Sequence, residues 1–180
     1  MNVLVSYASR YGSTQGIAES IAERLSASGL QAQARPTTTA SDLAGYEAYV
    51  IGSAAYMGSW LKEAAEFARG NEAVLATKPV WLFSSGPLGT GTKDAQGRDL
   101  LVASEPKEFA EFKRTIRPRG LQVFYGALDP TRLGFRDRAI RALPAGRALL
   151  PEGDFRDWKA IEAWAESIAR ELAPVAAGHL

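Results

Sequence analysis

The sequence predicts a three-layer α/β sandwich around a five-stranded parallel sheet. Short apolar runs alternate with segments of helical period, the pattern of parallel strands joined by right-handed crossovers. The runs at 3–5, 48–51 and 80–83 are continuously apolar, as strands covered on both faces are. Polar, glycine-bearing loops follow the first, third and fourth strands, and open α/β sheets bind ligands at the carboxyl ends of their strands.

"NVLVSY" reads as the first strand. A helix follows from Ser13, with Ile17, Ile21 and Leu25 at three- to four-residue spacing and Gly29 as its stop. "LQAQAR" is the second strand, "PTTTASDLAGY" a loop and "AYVIGSA" the third strand. Ser59 is placed to cap the next helix, with Leu61, Ala64, Ala65 and Ala68 inward. "PVWLFSS" and "GLQVFYGAL" are the fourth and fifth strands, separated by a glycine-rich loop and a short helix near "EPKEFAEFKRTI". A basic helical insertion, "PTRLGFRDRAIRAL", precedes a final helix with Trp158, Ile161, Ala165, Ile168 and Leu172 on one stripe and Asp154 near its start.

At 180 residues the chain reads as one domain over 1–180, with no linker, repeat or low-complexity tract. It has no cysteine, which excludes disulfides, thiolate metal sites and cysteine nucleophiles and fits a reducing cytoplasm. The one histidine, His179, reads as a solvated tail residue, so no metal site is expected. No run approaches the roughly 18 to 20 apolar residues that span a bilayer, and "MNVLVSY" lacks the basic region of a signal peptide. The net charge is +1, yet residues 113–141 carry eight basic and two acidic side chains. Nucleic-acid binding is not expected there, because aromatics are not interleaved with the arginines.

The loops carry the functional signal. "SYASRYGST" runs from a strand into a helix N-terminus, where free N–H groups and the helix dipole favour an anion. Ser9, Ser13, Thr14 and Tyr11 offer hydroxyls, Gly12 a close backbone turn and Arg10 a charge. A well-capped helix after an ordinary turn is the plain alternative. "SAAYMGSW" brings Tyr56 and Trp60 beside Gly58, either to stack on a planar ligand or to pack inward. "GPLGTGTK" is not a Walker loop, because Thr92 precedes Lys93, and no GxGxxG is present. With Ser84 and Ser85, that third loop can present backbone groups to a heterocycle, while residues 90–97 read as surface loop.

"SYASRYGSTQGIAESIAERL" resembles the phosphate loop and first helix of flavodoxins, which bind flavin mononucleotide (FMN), and the strand order 2-1-3-4-5 of that fold follows from the resemblance. On this likeness Ser9, Arg10, Tyr11, Gly12, Ser13 and Thr14 surround the phosphate. Ala54, Ala55, Tyr56, Met57 and Gly58, with Ser84, Ser85, Gly86, Pro87, Leu88 and Gly89, hold the flavin ring, and N–H groups near Gly58 or Gly86 face the flavin. "GSAAYMGSWLKEA" and "YGALDPTRLGFRDRAIRAL" are similar to the branch that includes menaquinone-dependent protoporphyrinogen oxidase. Shuttle flavodoxins are strongly acidic and carry a stacking aromatic in the third loop. This chain is near neutral, and "SSGPLGTGT" has no aromatic.

The resemblance therefore implies an FMN-dependent oxidoreductase, protoporphyrinogen oxidase-like or quinone-linked, with no side-chain acid or base assigned. Arg132, Arg136, Arg138 and Arg141 are candidates to meet an acidic small molecule or anionic lipid, against the alternative of a solvated helix face. A flavodoxin-type single-electron carrier with a redox partner and no substrate of its own is the other reading, and a flavin-free member of the fold a third. The expected location is cytoplasmic, with peripheral membrane contact as a further option.

Overall fold

The computed structural model describes residues 1–40 and 42–173. His179 lies outside them. In chain order the elements begin with β1 (Asn2–Ala8), α1 (Ser13–Ala27), β2 (Gln31–Pro36), β3 (Ala48–Tyr56) and β4 (Ser59–Trp60). Next come α2 (Lys62–Gly70), α3 (Glu72–Leu75), β5 (Val80–Ser85), α4 (Leu100–Ala103), α5 (Glu108–Thr115) and β6 (Gly120–Phe124). The chain continues through β7 (Ala127–Leu128), a 3₁₀ turn (Pro130–Arg132), α6 (Phe135–Ala142), α7 (Pro144–Leu149), β8 (Gly153–Asp154) and α8 (Trp158–Leu172).

The five long strands are parallel and lie in the order β2-β1-β3-β5-β6, the expected 2-1-3-4-5 arrangement. The fold is the α/β sandwich read from the sequence. Ile17, Ile21 and Leu25 of α1 meet Ile161, Ala165 and Ile168 of α8 over Val3, Val5, Val50 and Trp81 on one face. On the other face Ala64 and Ala68 of α2, Leu75 of α3 and Phe109 and Phe112 of α5 cover Leu4, Ile51 and Leu82. Both faces are apolar because strand side chains alternate and each face is covered by helices.

Three local expectations change. Ser59 does not cap a helix; it pairs with Tyr56 as β4 turns back on β3. Met57 and Gly58 adopt φ of 51° and 73°, the left-handed pair that a two-residue hairpin needs. Helix α2 starts later, after Leu61, with no side-chain cap.

The fifth strand stops at Phe124 instead of running to 128. Ala127 and Leu128 leave the sheet and pair with Asp154 and Gly153. The cause lies in their hydrogen bonds: the Gly126 N–H donates to Pro87 C=O at 2.9 Å and the Ala127 N–H to Ser13 Oγ at 2.8 Å.

At the final helix Asp154 is an ion-pair partner of Arg156, and Asp157 is the cap, accepting the Ala160 N–H at 3.0 Å. Trp158 stacks under Arg156 and stands partly in solvent, so the buried stripe begins at Ile161. Asp157→Ala is expected to cost about 1 kcal/mol, read as a lower urea midpoint at unchanged slope.

Candidate functional site

The ends of β1, β3 and β5 converge with the segment after β6 on one cavity of about 240 Å³. The first loop reaches it through Ser9, Arg10, Tyr11, Ser13 and Thr14. The loop turns at Gly12, whose φ of 88° is left-handed. Ser9 Oγ closes that turn by accepting the Gly12 N–H at 3.0 Å. Ser13 Oγ accepts the Ala127 N–H and sits 3.4 Å from Ser85 Oγ, so it ties the first loop to the third. The Tyr11 hydroxyl donates to the Asp137 carboxylate, and burial together with that bond raises its pKa.

Thr14 differs from its neighbours. Its Oγ1 is buried with no hydrogen-bond partner, it lines the cavity, and the helix in whose first turn it stands has no side-chain cap. The first N–H groups of a helix have no intrahelical acceptors. Ser6, Thr37, Trp60 and Thr115 also hold unpartnered buried atoms, but none of these residues lines the cavity.

The second loop contributes Ala54, Ala55 and Tyr56. It is held from behind by α5: the buried Glu108 carboxylate accepts the Trp60 N–H at 3.0 Å, and Lys107 N–H donates to Gly58 C=O. Trp60 is a core residue, packed against Phe109 and Phe112. Met57 points into solvent, and neither it nor Gly58 lines the cavity. Tyr56 is half-buried under the Arg10 guanidinium, 4.7 Å from its ring centre.

Burial pushes the Tyr56 phenol from 10.0 up to about 12, although Arg10 pulls the other way. An unfolded chain therefore releases this proton first. The contribution of Tyr56 to stability is full below pH 10 and is lost as pH rises towards 12. In alkaline denaturation Tyr56→Phe is expected to lose less stability than the parent across that interval.

From the third loop, Ser85, Gly86 and Leu88 line the cavity, whereas Pro87 and Gly89 do not. Ser84 is fully buried behind it, against Ser53 C=O. The Gly86 N–H is already committed to Phe124 C=O at 3.2 Å and is not free for a flavin.

Sequence reasoning missed the insertion as a wall of the site. Asp137, Ile140, Leu149 and Leu150 all face the cavity, opposite the strand ends. The third loop offers no aromatic, and aliphatic side chains of the insertion add apolar wall beside its Leu88. Asp137 bridges to Tyr11 and lies 3.8 Å from Arg10, which fastens the insertion to the first loop. The signal was present as an isolated acid in a basic segment, next to the isoleucine of "DRAI".

The four singled-out arginines make separate sets of contacts. Arg138 donates to Thr131 and Leu133 carbonyls, and Arg141 to Leu150 C=O and Glu152, so both brace the insertion itself. Arg132 lies 3.8 Å from Asp129, with its guanidinium against Gly12. Arg136 is exposed. Arg132 faces a larger groove of about 590 Å³ along the outside of α1, whose other arginine, Arg156, is taken up by Asp154, Ser13 C=O and the Trp158 ring. Those Arg156 hydrogen bonds hold the Asp154 carboxyl below its ordinary range. That groove is open and its charges are largely paired, so the smaller cavity at the strand ends is the candidate site.

A family model for the flavodoxin domain matches residues 4–144. The chain belongs to the flavodoxin domain family. Solved structures agree on the fold. A single-site mutant of flavodoxin from Pseudomonas aeruginosa superposes with a TM-score of 0.60 at 18% identity, covering 97% of this chain and all (100%) of that one. A flavodoxin from the domain Archaea gives 0.57 at 17% identity, covering 95% and 98%. The rubredoxin oxygen:oxidoreductase of Desulfovibrio gigas gives 0.59 at 15% identity, and this chain covers only 36% of that larger protein. No curated protein matches the sequence.

FMN is the cofactor of the flavodoxin family. The residues present fit it. A buried threonine hydroxyl without a partner stands at an uncapped helix N-terminus, which suits a phosphate, and the cavity above is part polar and part aliphatic, which suits a flavin ring. Among the described residues no helix is long and apolar enough to cross a membrane.

Proposed function

We propose that this flavodoxin-domain chain binds FMN in the cavity at the strand ends and uses it to carry electrons. The observation that carries the reading is the unpartnered Thr14 hydroxyl, buried at the uncapped start of α1 and facing that cavity. Bound FMN supplies the redox chemistry, and the protein supplies orientation and electrostatics. Thr14 and the first-turn N–H groups would hold the phosphate, with Arg10 offsetting its charge. Ser9 and Ser13 would act indirectly, by fixing the loop's shape. Tyr56 and Ala55 would flank the ring from one side and Leu88, Ile140 and Leu149 from another, excluding water from it.

A second reading, an FMN oxidoreductase with its own substrate, draws on the insertion. Its aliphatic side chains extend the cavity wall beyond the three strand-end loops. The protoporphyrinogen oxidase branch, which the loop motifs resemble, is the narrower form of this reading; the comparisons support the family and not that branch.

Titration of the purified protein with FMN, and separately with riboflavin, tests the first reading. Saturable quenching of FMN fluorescence is expected, with riboflavin bound at least tenfold more weakly. Thr14→Val should weaken FMN roughly tenfold to a hundredfold, the range for a lost hydrogen bond to a charged group, and leave riboflavin unchanged. Equal affinity for the two flavins, or none for either, would remove the phosphate site and the proposal with it.

A further inference from the structure

The insertion leaves large apolar side chains in water. Phe135 is 88% exposed, Leu149 73%, Leu143 62% and Ile140 47%. Residues 130–150 hold these among five arginines and one acid, Asp137. That acid is withdrawn from the surface, bonded to Tyr11 and close to Arg10. Arg136 and Arg147 are exposed and make no ion pair among the described residues. Helices α6 and α7 pack chiefly on one another.

We propose that the α6–α7 insertion is a docking surface for an anionic lipid bilayer. Phe135 and Leu143 would enter the headgroup layer, and Arg136 and Arg147 would meet lipid phosphates. Short helices on which apolar tips alternate with cations have the composition of interfacial segments. Charge complementarity favours lipid, because Arg136 and Arg147 present guanidinium groups with no opposing carboxylate among the described residues. A protein partner would leave these interleaved tips and charges to be matched one by one, whereas lipids rearrange around them. Ile140 and Leu149 also line the candidate cofactor cavity, so the lipid-facing surface and the cavity wall are continuous. The inference does not depend on flavin binding.

Co-sedimentation of the full chain with phosphatidylcholine vesicles, and with the same vesicles containing phosphatidylglycerol, tests it. Binding to the anionic vesicles alone, reversed by added salt, is expected. The double variant Arg136→Gln with Arg147→Gln should lower partitioning roughly thirtyfold, from the usual contribution of a cation at an anionic surface. Phe135→Ser with Leu143→Ser should also release the protein. Both variants should keep the parent circular dichroism, since all four positions are exposed. Equal binding to neutral and anionic vesicles, no binding to either, or unchanged partitioning of the arginine variant overturns the proposal. So does a concentration-dependent dimer that Phe135→Ser with Leu143→Ser abolishes, which would assign the face to a second copy.

Discussion

Gly52→Ala is expected to destabilise the protein by about 3 kcal/mol, an overpacking cost at the upper end of its usual range. Gly52 lies in the middle of β3, directly beside Phe83 of β5. The Phe83 ring occupies the space in which a Cβ at position 52 would stand. That ring cannot simply swing aside, because Phe124 and Trp164 hold it, each with its ring centre 6.1 Å away. The added methyl must therefore displace a strand or force Phe83 out of its rotamer. Urea denaturation should show a much lower midpoint at unchanged slope. Phe83→Leu would itself lose core packing, but in combination with Gly52→Ala it should recover at least about 1 kcal/mol relative to the sum of the single losses. Additive single effects would mean that the alanine is accommodated by backbone movement and not resisted by the ring.

Gly12→Val should have the largest effect on cofactor binding, a loss of about a hundredfold in FMN affinity. The φ of 88° costs an L-residue roughly 1–2 kcal/mol, and a β-branched one more. The new side chain would also collide with the Arg132 guanidinium. Relief by rotating the peptide would carry the Gly12 N–H off Ser9 Oγ and turn the following N–H groups away from the cavity. The expected pattern is a fall in stability of about 2 kcal/mol, a collapse of FMN quenching and little change for riboflavin. A valine variant that binds FMN normally would place the phosphate elsewhere than on this loop.

Much of this architecture was legible in the sequence because burial on both faces leaves a simple mark. The apolar runs containing Val3, Ile51 and Leu82 carry the mark of strands inside a layered sheet, and their order follows from the family likeness. The first loop stood out by its glycine and hydroxyl residues between a strand and a helix, a pattern that an ordinary capped turn shares. What composition did not show is which hydroxyl is spoken for. Ser9, Ser13 and Tyr11 look equivalent to Thr14 in sequence, yet partners 3 to 126 residues away engage them, and only packing leaves Thr14 unpaired. Ser59 misled because capping preference is a local rule, and the Met57–Gly58 hairpin is fixed by pairing to β3. Tyr125 to Leu128 kept a strand's apolar character while their hydrogen bonds went to Pro87 and Ser13. The arginines of the insertion read as one patch, but Arg138 and Arg141 are consumed in holding it together.

The carboxylate of Asp137 joins two parts of the molecule that stand more than a hundred residues apart in the chain, with Tyr11 and Arg10 on one side and α6 on the other. A bridge of this kind makes the two sites thermodynamic correspondents. If a phosphate on the first loop alters the charge that Asp137 sees, it alters the resting position of the insertion, and anything that seats on the insertion returns the effect. Equilibrium reciprocity requires the two influences to be equal in magnitude. A surface that grips the insertion would then retune how firmly the cofactor is held by the same factor as the cofactor retunes the grip, so that loading and location report on each other through one side chain.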